Sequence, residues 1–531
     1  KDSLIFRFSD DKKWRLDWVR LPNGVLVLKG DYPHYRYSDP KLISTVMQQA
    51  KYLRNKINRK RYTYVLEQRL KEEHASLYSV EPHMRAFFAT LLWNNKHTLG
   101  DNNSRYYFNP YTLQLEPITT DEEMFSLRTE KLNTTLNEMF LTETYKQVLT
   151  SFRNNNDKNK YLIKAAESLV NIEEKLNQFN SYFPLDAYKK DEVLIKNINL
   201  ITKDEAVLYE WLNNFDLNKQ SDITINNTPS TAQGKYFPEH LHVRHYDDGK
   251  LLIFNLLLDE VKINRIVFDG KVTDYADLII PGYTSNNYEP FILQTNITGI
   301  QDDKIIVYSS YTDNERSIGA YPTFMSDGIS NPLIGGTTKN TPFLINKGSN
   351  LWEILPGKWV VKQPILVDGN LRIKEGTHLK LSKDSYLIVK GRIEFIGSKT
   401  TPIIFESLDS GWKGLYVLSD EDSKSILHNV IFKDTTGLSD GLLELSGGVN
   451  IYKGSVDVRN VTIDDSSAED ALNIVKASIS VDGLNIQNAT SDAFDCDYCI
   501  GTINESYFNQ IGGDALDFSG SEVAIESIEI N

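Results

Sequence analysis

The 531-residue sequence predicts a multidomain chain: an α+β region, a helical part of the same domain, a small β-sandwich, and a C-terminal solenoid of stacked parallel coils. Three observations carry this reading. The length exceeds what one hydrophobic core organises. Apolar spacing changes along the chain from steps of three and four to alternation punctuated by turn residues. Finally, Asp470, Asp492 and Asp514 recur every 22 residues in "EDALNI", "SDAFDC" and "GDALDF", the mark of a repeat architecture. Hydrophobic residues (40%) and charged residues (24%) are at ordinary globular levels, and no apolar run approaches the ~20 residues of a membrane span. A formal charge of −14 argues against a nucleic-acid partner, because phosphate binding needs a basic face.

Residues 1–120 mix strands with helices. "KWRLDWVRLPNGVLVLKG" reads as a hairpin around Pro22-Asn23-Gly24, and Met84, Phe87, Phe88, Leu91 and Leu92 recur at helical spacing. Residues 121–220 are expected to be helical, with Leu162, Ala165, Leu169, Ile172, Leu176 and Phe179 forming one packing stripe. Over 221–345 the pattern becomes strands and turns, as in a β-sandwich. There "HLHVRHYDDGKLLIFNLLL" is a hairpin around Asp247-Asp248-Gly249. His240 and His242 share a strand face but His245 falls out of step, which favours a solvated face over a metal site.

Residues 346–531 hold the repeat. In "NLRIKEGTHLKLSKDSYLIVKGRIEFIGSKTTPIIFES", Leu371, Ile373, Leu379 and Leu381 are expected inward, with Gly376 and Gly391 at corners; this part resembles a right-handed parallel β-helix. Phe494 and Cys496 belong in its core. The aspartate ladder either caps the turn of each Asp's own coil or holds Ca²⁺ or a sugar, since like charges ~4.8 Å apart need compensation. Cys496 and Cys499 form a disulfide or remain two core thiols. The chain opens on Lys1 and the repeat is still running at Asn531, so the expectation is a piece of a longer protein with at least one more coil and a cap.

The segment "LLWNNKHTLGDNNSRYYFNPYTLQLEPITTD" resembles the catalytic-loop region of the spore-coat-protein-H (CotH) type atypical kinases. The resemblance implies a kinase-like domain over residues 1–220, with Asn103 and Asp121 holding Mg²⁺ and ATP and with Arg105, Tyr107 and Phe108 as supporting strand residues. Where the family carries its catalytic Asp, this chain reads Trp93-Asn94-Asn95, and an amide cannot accept a proton. Asp101 and His97 are the nearest substitutes. Lys29 is the one nearby strand-borne lysine for a nucleotide and stays unassigned. The implied protein is an exported or cell-surface bacterial kinase, active or degenerate, whose β-helix engages a surface protein or polysaccharide. Two other readings stand beside it: a noncatalytic adhesive or matrix protein, and a polysaccharide lyase or hydrolase acting on the ladder.

Overall fold

The structure, a computed structural model, describes residues 4–6, 55–69, 75–93, 105–118, 147–149, 196, 210, 241–246, 248–255, 260–268, 270–282, 291–298, 305–311, 314–319, 321–323, 329–339 and 341–531. The chain divides into two compact units, 1–109 with 114–328, and 110–113 with 329–531. Among the described residues no helix is long and apolar enough to cross a membrane. The expected hairpin around Pro22 and the helical stripe from Leu162 to Phe179 lie outside them.

In the first unit, Arg105–Asn109 and Gln114–Ile118 form an antiparallel hairpin, and Ile5–Phe6 adds a third strand. Alternation places Tyr106, Phe108 and Leu115 inward, where all three are fully buried. They meet the helix Val80–Trp93, which buries Met84 and Phe87 as its spacing requires. Further along, Leu241–Tyr246 and Lys250–Asn255 pair as the predicted hairpin within a four-stranded sheet. A second four-stranded sheet contains Val261–Phe268 and Lys271–Ile280. Leu241, Val243, Leu251 and Ile253 of the first sheet share one apolar cluster with Val261, Ile263, Ile266 and Val307 of the second.

The second unit is a parallel β-solenoid of about eight turns. Each coil has three faces. The first runs through Leu351–Ile354, Asn370–Lys374 and Ile393–Ile396; the second through Gly357–Val361, Thr377–Leu381 and Ile403–Ser407; the third through Ile365–Val367, Leu387–Val389 and Leu415–Leu418. Leu371, Ile373, Leu379 and Leu381 point inward as expected, into a core that continues through Phe494 and Cys496. The 22-residue interval holds in the last coils, where Asp470 pairs with Asp492 and Phe494 with Leu516. Upstream it lengthens: Leu415 pairs with Val449 and Ile403 with Val430. The extra residues form outer excursions, among them the short pairing of Ser439–Asp440 with Leu443–Glu444, while the inward register is kept.

Single residues in the left-handed region turn the later corners. Asn429, Asn460, Gly483, Glu505 and Ser527 turn the first face into the second, and Lys453, Lys476, Tyr498 and Gly520 turn the third into the first. Each non-glycine there carries a backbone cost of about 1 kcal/mol that the stacked ladder on either side must outweigh. Gly376 does sit at a positive φ of 76°. Gly391 is needed for close approach instead, since a Cβ there would lie 2.8 Å from the Gly369 carbonyl. Ahead of the first coil, the segment 329–339 runs along the outside of the third face. The Thr338 N–H donates to Leu366 O and the Leu366 N–H to Thr338 Oγ1, both at 2.8 Å, and the excursion holds the segment's start through the Leu442 N–H on Ser330 O at 3.0 Å.

Candidate functional site

His97, Asp101, Asn103 and Asp121, with Lys29, Asn94 and Asn95, lie outside the described residues. The hairpin between them is described. Its register pairs Arg105 with Ile118 at one end of the ladder and Asn109 with Gln114 at the other. Beside it, His83 is fully buried, donates its Nδ1–H to Ser79 O at 2.7 Å, and stacks on Tyr106. Burial pushes its pKa down to about 4 against the opposing pull of that hydrogen bond, so it is a neutral core histidine. His245 is also buried, with Nε2 3.1 Å from Ile297 O. His240 and the side chain of His242 lie outside the description.

The aspartate ladder differs from expectation. Asp470 and Asp492 do not simply cap their own turns. Asp492 Oδ1 accepts the N–H of Asp514, 2.8 Å away in the next coil. Asp470 is buried, and its Oδ2 accepts from Asn473 Nδ2 at 2.9 Å. The same amide donates to Asp495 Oδ2 at 2.9 Å, with Ser446 Oγ as a third neighbour at 3.2 Å. An adjacent row runs Asn450, Asn473, Asp495, Asp517 in register, two amides followed by two carboxylates, and the Asn473 amide is the donor placed between the acceptors Asp470 and Asp495. This is the compensation that stacked carboxylates need. Among the described residues no three His, Cys, Asp or Glu side chains converge as a metal-ligand group.

Cys496 and Cys499 are joined in a disulfide, both fully buried. They flank the corner residue Tyr498, occupying the inward positions that Ile474 and Ala477 fill one coil earlier. The bond therefore takes the place of an aliphatic contact across the corner. Closing so short a loop contributes about 2 kcal/mol by chain entropy.

The outward side chains of the first two faces carry ion pairs that sequence reading missed. Asp457, side chain 7% exposed, accepts from Arg459 Nε at 3.0 Å and Nη2 at 3.2 Å, with Lys424 Nζ at 3.1 Å and His428 Nε2 at 3.2 Å. Glu406 lies 2.9 Å from His378 Nε2 and 3.0 Å from Lys380 Nζ. Burial alone would raise both carboxylates. Hydrogen bonds from Lys424 and His428 to Asp457, and from Lys380 and His378 to Glu406, outweigh it and hold both below their ordinary values. Because the folded values lie below the unfolded ones, this stabilisation is fully present above about pH 5 and is lost as pH falls through the depressed folded values. The thermal midpoint is therefore expected to hold between neutrality and about pH 5 and to fall below about pH 4. Asp457→Asn should lower the midpoint at pH 7 and flatten the acid limb. An acid limb unchanged in that variant would remove Asp457 from the account.

Fold and site together define a parallel β-solenoid protein with patterned polar outer faces. No family model matches the chain, and neither a curated protein nor a solved structure is similar to it. The resemblance of the segment around residues 91–121 to CotH-type kinases thus finds no support in a family match.

Proposed function

We propose that the chain is a binding protein whose solenoid engages polysaccharide at a surface. The observation that carries this reading is a strip on the second face, where Thr462, Asn485 and Tyr507 stack in one outward row and Asp464, Gln487 and Asn509 in the next. All six are partly exposed. Hydroxyl, amide and carboxylate groups on a flat lattice both donate to and accept from sugar hydroxyls, and a tyrosine ring offers an apolar face with a polar rim. The ladder of Asp470, Asp492 and Asp514 suits catalysis less, because the Asp470 carboxylate holds the Asn473 amide and that of Asp492 holds a backbone N–H. The buried Cys496–Cys499 disulfide supports an exported protein, since disulfides persist in oxidising compartments.

Affinity electrophoresis of the full chain through gels containing neutral or anionic polysaccharides tests this. Retardation by at least one polymer is expected, and Tyr507→Ala should weaken binding to it roughly 3- to 10-fold if the ring packs on sugar. Free migration through every gel would overturn the reading.

The pairing of Arg105 with Ile118, close in sequence to Asn103 and Asp121, supports a second reading, a nucleotide site using Mg²⁺. Mg²⁺ and ATP at 100 times the Kd would then stabilise the fold by about 2.7 kcal/mol, an effect abolished by Asp121→Ala. An unchanged melting curve at millimolar nucleotide would reject it.

A further inference from the structure

We propose that the first face of the solenoid, from Leu351 to Arg459, binds an extended anionic polysaccharide. This rests on the polysaccharide reading, specifies its substrate class and adds a surface on the first face to the strip on the second. One outward row of this face runs Glu353, Arg372, Glu394, Ile426, Asp457, residue opposite residue from coil to coil. A carboxylate therefore recurs at every second coil, roughly 10 Å apart for strands spaced ~4.8 Å.

Each carboxylate is held by two lysines or arginines. Glu353 lies 3.6 Å from both Lys347 Nζ and Lys374 Nζ. Glu394 lies 2.7 Å from Arg372 Nη2 and 3.1 Å from Arg392 Nη2. Asp457 has Lys424 and Arg459, with His428 beside them. The exposures separate the two kinds of group. The carboxylate side chains are 7%, 18% and 7% exposed, whereas the six cations range from 35% to 57%. Solvent thus meets ammonium and guanidinium groups, with the negative charges beneath them.

One cation neutralises one carboxylate. Two per carboxylate leave a positive stripe on a chain whose formal charge is −14. The stripe also has an end. Beyond Arg459 the outward positions of the same face are Ser478, Ser480 and Asp482, then Ile500, Thr502 and Asn504, then Glu522, Ala524 and Glu526, with no cation among them. A solubilising surface needs neither the regular interval nor the boundary, and exposed ion pairs add only about 0–1 kcal/mol of stability each.

The arrangement also decides the partner. Lysine and arginine engaged on one side by a carboxylate keep further N–H donors for uronate or sulfate groups, and charge-assisted bonds of this kind are the strong ones. The stripe is one strand face wide, its cations drawn from the carboxylate row and the outward rows on either side, and it runs along the stack, which fits a single extended glycan chain with negative groups at intervals. A nucleic-acid duplex would also meet the acidic remainder of the surface.

The test uses the full chain with polygalacturonate, heparin, neutral dextran and a short DNA duplex as probes, measured by affinity electrophoresis or titration. Two triple variants remove a cation pair together with its carboxylate, so that no buried charge is orphaned: Arg372→Gln with Arg392→Gln and Glu394→Gln, and Lys424→Gln with Arg459→Gln and Asp457→Asn. Melting curves identify whichever remains folded. We expect the uronate or sulfate polymer to bind, each folded variant to bind it at least about tenfold more weakly, and added salt to weaken the wild type most. Binding to dextran alone would overturn this proposal and leave the polysaccharide reading standing. So would undiminished binding of anionic polymers by the folded variants, or DNA binding as tight as glycan binding. Failure to bind any polymer would remove both.

Discussion

Phe405→Ala is expected to destabilise the solenoid by about 3–5 kcal/mol, more than any single surface change. Phe405 is fully buried on the second face, and its ring lies 4.9 Å from Phe432, 5.7 Å from Phe395 and 6.0 Å from Trp412, each nearly parallel to it. Phe395 comes from the first face and Trp412 from the turn before the third, so the ring joins several elements of one coil to the next. Truncation leaves a cavity lined by three aromatic residues whose own contacts are partly lost, and stacked rings contribute roughly 0.5–1.5 kcal/mol beyond area burial. Phe405→Leu keeps most of the volume and should cost roughly 1–2 kcal/mol. In a solenoid each coil contacts only its neighbours, so a weak coil also uncouples the stack on either side. Urea unfolding should therefore show a lower midpoint and a broader transition. A midpoint within error of wild type would mean that the aromatic stack is not part of the core.

What could be read from the sequence was set by geometry. The interval linking Asp470, Asp492 and Asp514 was visible because those coils turn their corners with single left-handed residues, such as Lys476 and Gly483, which fixes the number of residues per coil. Upstream, the excursion containing Ser439–Glu444 separates Leu415 from its partner Val449 by far more than one interval. Periodicity is lost there while inward register survives, so only the three-dimensional pairing shows that Asp457 stands two coils from Glu394. Arg372 and Glu394 do lie one interval apart, and opposite charge at the repeat distance was the available signal. The cysteine spacing allowed either a disulfide or two thiols. The corner at Tyr498 aims both side chains inward and brings their Cα atoms to 6.0 Å, and that decided it. The hairpin Arg105–Ile118 was legible from its turn residues and alternation, whereas the chemistry assigned to its flanks came from resemblance alone.

Asn473→Asp should cost several kcal/mol at pH 7.5 and much less near pH 5. The Asn473 amide is 2% exposed and gives one N–H to Asp470 and one to Asp495. Asn473→Ala removes a donor from each of these buried carboxylates, at about 1.5–3 kcal/mol apiece for hydrogen bonds to charged groups. The Asp variant removes the same donors and adds a third negative charge between the first two. At an effective dielectric of ~20, unit charges ~4.8 Å apart repel by roughly 3–4 kcal/mol, so the stack lowers its energy by taking up a proton. The folded pKa of the group rises above its unfolded value. The variant's deficit is then largest above the raised folded pKa and shrinks as pH falls toward the unfolded value near 4. This trend opposes that of Asp457 and Glu406, whose stabilisation is lost in acid. Chemical denaturation of Asn473→Ala and Asn473→Asp at pH 7.5 and pH 5 measures it. The Asp variant should be the less stable of the two at pH 7.5 and should recover relative to Ala at pH 5. Should Asn473→Asp instead match wild type at pH 7.5, and lose that stability only on removal of Ca²⁺, the ladder would be a cation site in place of the amide–carboxylate stack described here.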